Sequence, residues 1–74
     1  MTGRPVKHSL TLRGHRTSVS LEEIFWREFC RIADARQIGI NKLAAEIDEA
    51  RGDIGLASAI RVFVLREALS QDQL

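Results

Sequence analysis

Cysteine occurs once, at Cys30, so the chain has no means of stapling itself with an internal disulfide. Histidine occurs twice, at His8 and His15, both far upstream of Cys30, which leaves no Cys/His cluster at metal-ligand spacing. Cys30 is therefore expected as a small buried apolar residue, and no metal or other cofactor is expected. Long apolar runs are missing too. No stretch approaches the roughly 18 residues a membrane span needs, and no apolar signal region follows Met1, so the expectation is a cytoplasmic protein without a membrane partner. There is no Gly-rich phosphate loop after a strand, no recognisable carboxylate pair and no Ser/His/acid set, so enzymatic activity is not expected.

What is present fits one small domain, because 74 residues cannot build two hydrophobic cores. Cores of this size rarely supply more than about 3–5 kcal/mol net, and natural examples add a disulfide, a metal or a partner subunit. With the first two set aside, a second copy of the chain is the expected staple. The net charge of +1 conceals an asymmetry. Residues 1–16 carry Arg4, Lys7, Arg13 and Arg16 and no acid, whereas the remainder holds seven basic and ten acidic residues. A basic segment of this kind faces either solvent or a polyanion.

Gly3 and Pro5 mark residues 1–7 as an irregular N-terminal arm, and residues 8–74 form the expected domain. His8 to Leu21 alternates apolar and polar residues with period two, the pattern of half-buried strand. The parity changes partway: Leu10 and Leu12 are even, Val19 and Leu21 odd, with Gly14 at the break. A two-residue turn at Gly14–His15 restores one apolar face by pairing Leu12 with Thr17 and Leu10 with Val19, and a leading Gly suits a type II′ turn. Ser9, Thr11, Arg13, Arg16, Ser18 and Ser20 then share the polar face. The alternative is a flexible arm over residues 1–14 with strand only over Arg16–Leu21. No internal repeat or low-complexity stretch is expected.

Helices follow at about 22–37, 40–51 and 56–69. Leu21, Phe25, Phe29 and Ile32, widened by Trp26 and Ala33, make the first apolar stripe, and Leu43, Ala44 and Ile47 the second. Gly52 is a natural end for the second helix. The third carries Leu56, Ile60, Phe63 and Val64 on one side and Val62, Leu65 and Leu69 on another, a width that needs more than one neighbour.

The order strand, helix, short Gly-containing turn, helix over residues 16–51 resembles the ribbon-helix-helix family, and Arg16-Thr-Ser-Val-Ser-Leu-Glu-Glu23 resembles that family's strand and helix start. Arg13-Gly-His-Arg-Thr-Ser-Val-Ser-Leu-Glu22, Phe25-Trp26 and Ala59-Ile-Arg-Val-Phe-Val-Leu65 further resemble a bacterial and phage branch with an added C-terminal helix. The resemblance implies a mostly α fold with a short N-terminal β-ribbon, built as an intertwined homodimer that buries Val19, Leu21, Phe25, Trp26, Phe29, Leu43 and Ile47. It implies double-stranded DNA as partner and transcription regulation as function. Paired strands of two copies would enter the major groove with Arg16, Ser18 and Ser20 at the bases. Gly39, Asn41 and Lys42 at the start of the second helix, together with Arg13, would meet phosphate. The alternative function is a dimeric interaction module, antitoxin-like or an adaptor, whose third helix or sheet face engages another protein.

Overall fold

The computed structural model describes residues 3–72. Two strands, β1 (Pro5–Leu12) and β2 (His15–Glu22), pair antiparallel as a hairpin, and three helices follow: α1 (Glu23–Ala35), α2 (Ile40–Ala50) and α3 (Leu56–Asp72). Strand β1 starts at Pro5, inside the stretch expected as an irregular arm. Met1 and Thr2 of that arm lie outside the described residues.

The hairpin turn differs from the sequence expectation by one residue. Arg13 and Gly14 are the central pair, with φ of 52° and 83°, so both occupy the left-handed region that a type I′ turn demands. The register moves by two as a result: Leu10 faces Thr17 instead of Val19, and Leu12 faces His15. A shift of two preserves which face each side chain takes. Leu10, Leu12, Val19 and Leu21 are all buried against the helices, as the parity argument requires.

Helix α1 stops at Ala35, two residues short of the expected end. Gln37 takes φ 59°, and the Gln37 and Ile38 N–H groups donate to the Asp34 and Ala33 carbonyls. Those bonds close the last turn of the helix in a Schellman motif, with Gln where Gly is usual. Glycine does hold the corresponding place after α2, where Gly52 has φ 65°. Helix α3 runs to Asp72, beyond the expected Leu69.

The core is closed within one chain. Phe29, Ile32 and Ala33 of α1 meet Leu43, Ala44 and Ile47 of α2 and Ala59, Ile60 and Val64 of α3, with the hairpin's inner row as the lid. Five residues expected to be buried between two copies, Val19, Leu21, Phe29, Leu43 and Ile47, are already buried here, while Phe25 and Trp26 are partly so. The second apolar side of α3 stays outside this core. Val62, Leu65 and Leu69 remain 46%, 55% and 52% exposed.

Candidate nucleic-acid interface

Alternation along the hairpin sends Lys7, Ser9 and Thr11 of β1 and Arg16, Ser18 and Ser20 of β2 to the face away from the helices, and all six are exposed. Cross-strand register groups them as Lys7 with Ser20, Ser9 with Ser18, and Thr11 with Arg16. Lys7, Ser9, Arg16 and Ser18 line a shallow open depression on this face. The expected base-facing set, Arg16, Ser18 and Ser20, is thus one of two parallel rows. Ser9 and Thr11 were readable from parity as part of the polar face. Lys7 was missed because the strand was started at His8, three residues after its actual start at Pro5, although its odd position placed it in the same row.

Asn41 ties the start of α2 to this ribbon: its Oδ1 accepts the Thr11 backbone N–H at 2.9 Å. Arg16, on β2, is Thr11's cross-strand partner. With Oδ1 engaged, the Asn41 side chain retains only its NH₂ group as a donor. Gly39 caps α2 in an extended conformation without a side-chain hydrogen bond, and a Cβ built there would meet nothing within 4 Å. The first-turn N–H groups of α2 have no carbonyl one turn earlier to bond, and Lys42 is exposed beside them. Bare N–H groups, the positive end of the helix dipole and an ammonium make this end receptive to an anion.

Arg13, the other residue expected at phosphate, is engaged within the chain. At the turn its guanidinium forks onto α2, donating to Asp48 Oδ2 at 2.8 Å and Glu49 Oε2 at 2.6 Å. Arg51 donates to the other Asp48 oxygen at 2.6 Å. Asp48 is consequently held below the usual carboxylate range, chiefly by Arg51 and then by Arg13. Asp48 and Glu49 look like part of a plain solvated acidic face in the sequence, yet they neutralise cations, and only Glu46 of that cluster fits the simpler description.

At the ribbon's far end Arg61 of α3 donates to Glu22 Oε1 at 2.9 Å and to the Ser20 carbonyl at 3.4 Å, with its guanidinium carbon 5.9 Å from the Phe25 ring centre. Arg61 also holds Glu22 below its ordinary range, so the one acid bordering the polar face has a cation against it. Beneath the ribbon His8 stacks on Trp26, centroids 3.9 Å apart and planes within 6°, and its Nε2 is buried without a hydrogen-bond partner. Cys30 is half-buried, not fully buried as expected; desolvation, then Glu23, pushes its thiol pKa up, away from reactive thiolate. Among the described residues no three His, Cys, Asp or Glu side chains gather as metal ligands, and no helix is long and apolar enough to cross a membrane.

A family profile described as "Ribbon-helix-helix domain" matches residues 5–68. No curated protein and no solved structure matches the chain.

Proposed function

The chain belongs to the ribbon-helix-helix family, a family of non-enzymatic DNA-binding regulators, and on that premise we propose that it is a homodimeric, sequence-specific DNA-binding protein that regulates transcription. The observation that carries this reading is the hairpin's outward face, where two cations and four hydroxyls stand beside the bare start of α2 and Glu22, at the end of the β2 row, is paired with Arg61. A two-stranded ribbon is narrow enough for the major groove, whose base edges present a distinct donor and acceptor pattern for each pair. Arg16 can donate both guanidinium arms to guanine, while Ser18 and Ser20 can donate or accept. Gly39, Asn41 and Lys42 hold a flanking phosphate, which sets register without reading sequence.

Gel-shift titrations at two salt concentrations, on selected and scrambled duplexes, test this assignment. Arg16→Ala should cost about 1–3 kcal/mol on the selected duplex and relax preference there. Lys42→Ala should weaken every duplex and reduce the salt slope by about 0.9 for each chain bound. A folded parent protein that binds no duplex in a salt-dependent way would overturn the reading.

The exposed row Val62, Leu65 and Leu69 favours self-association, since members of the family typically act as dimers and an apolar stripe at helical spacing suits a matching copy across a twofold axis. Sedimentation should show a dimer at micromolar concentration and a monomer for Leu65→Asp. A parent protein that stays monomeric would move this stripe to the alternative reading, a docking face for a different protein.

A further inference from the structure

We infer that the hairpin of a single chain is the entire groove-reading ribbon and that it imitates a pair of strands from two copies: Lys7, Ser9 and Thr11 read bases beside Arg16, Ser18 and Ser20, across a local twofold axis. This rests on the DNA-binding reading above. The register exposes a short repeat that the bare sequence hides. Lys7-His-Ser-Leu-Thr-Leu12 and Arg16-Thr-Ser-Val-Ser-Leu21 align with nine residues between equivalents. The outward rows become Lys-Ser-Thr and Arg-Ser-Ser, and the inward pairs Leu10/Val19 and Leu12/Leu21 are apolar and buried alike. Pairing Ser9 with Ser18 places the pseudo-axis between those two residues. Rotation about it exchanges Lys7 with Arg16 and Thr11 with Ser20, so each strand offers a cation followed by two hydroxyls, in opposite directions.

Each ribbon edge is engaged at one point from within the chain. In a two-residue hairpin the pair closing the turn, Leu12 and His15, is hydrogen-bonded, so alternate pairs turn their N–H and C=O groups outward. Those outward groups belong to Lys7, Ser9 and Thr11 on one edge and to Arg16, Ser18 and Ser20 on the other. On the first edge Asn41 takes the Thr11 N–H, and on the second Arg61 reaches the Ser20 carbonyl. A strand from another copy that paired along the full length of either edge would have to displace one of these side chains. Size argues the same way. Strands lie about 4.8 Å apart, so a four-stranded sheet of two hairpins would measure about 14 Å between its outer strands, more than the roughly 12 Å width of the major groove. Nor does the core need a second strand, because Leu10 and Leu12 of β1 cover it beside Val19 and Leu21.

Successive outward pairs are separated by two residues, about 6.8 Å along a strand. That spacing equals about two steps of 3.4 Å in DNA, so the three pairs address about five base pairs. One chain should therefore prefer a short, imperfect inverted repeat of about that length.

The experiment selects sequences bound by the parent protein, then compares Lys7→Ala, Ser9→Ala and Arg16→Ala on the selected duplex and its single-position variants, with circular dichroism confirming that each stays folded. Lys7→Ala and Arg16→Ala should each lose about fivefold or more of their discrimination, at positions related by the centre of the repeat. Ser9→Ala should relax the centre. In the monomeric Leu65→Asp background, a duplex carrying one repeat should bind one chain, measured by native mass spectrometry. If Arg16→Ala relaxes preference while Lys7→Ala and Ser9→Ala leave discrimination unchanged, or if one repeat requires two chains, the single-chain ribbon is wrong and the DNA-binding assignment survives. If the parent protein selects no sequence, both fail together.

Discussion

Replacing Arg13 by Asn separates two roles for the turn that the sequence alone leaves merged. In the structure Arg13 occupies the first position of a type I′ turn at φ 52°, where a side-chain-bearing residue costs about 1–2 kcal/mol. Asn before Gly14 is the favoured choice for that turn, so the substitution relieves much of that strain. It also removes the contacts to Asp48 and Glu49, but these are surface pairs with Arg13 itself half exposed, and such pairs contribute little. Arg13→Asn should hold or raise the melting temperature. DNA affinity, by contrast, should fall on every duplex, because one positive charge is lost beside two carboxylates. The deciding measurement adds Glu49→Gln, which restores the local charge balance. If Arg13 acts only by neutralising α2, Arg13→Asn/Glu49→Gln regains the parental affinity and salt slope. A slope that stays about 0.9 below the parent for each chain bound would show that Arg13 leaves the acids to contact a phosphate, and the reasoning about the turn would be refuted.

Two further outcomes concern stability. Phe29 is fully buried between α1 and its neighbours, so Phe29→Ala should cost about 3–5 kcal/mol and abolish the cooperative melt of so small a core; a melt near the parental temperature would contradict the packing. Gln37→Gly, at the left-handed residue after α1, should stabilise by about 0.5–1 kcal/mol and raise the melting temperature by several degrees, which thermal denaturation by circular dichroism can read.

Periodicity made the faces legible. The change of parity around Gly14 signalled a hairpin, and the three- and four-residue spacings of Phe25, Phe29 and Ile32 and of Leu43 and Ile47 marked the buried stripes of α1 and α2. Parity defines faces but leaves register open by two residues. Choosing between Arg13–Gly14 and Gly14–His15 as the turn required knowing that Arg would accept a left-handed backbone, against its intrinsic preference. Gln37 poses the same difficulty at the end of α1, where a left-handed residue other than Gly closes the helix. Arg16, Ser18 and Ser20 could be located from alternation, but the fate of Arg13 depended on Asp48 and Glu49, which are distant in sequence and reach the turn only because α2 lies against β1. The nine-residue echo between the strands has only three identities or close matches in its outward row, too few to register before the pairing is known.

In that echo His8 is the discordant member, since its counterpart is Thr17, and His8 is where β1 lies flat against the indole of Trp26. The chain holds one tryptophan and no tyrosine, so its ultraviolet emission originates almost wholly from a ring sandwiched at the junction of β1 and α1. Loosening of the first strand therefore has an optical signature of its own, distinct from the dichroism of the helices. A titration followed in both signals will distinguish a hairpin that stays docked while it grips DNA from one that peels away to do so.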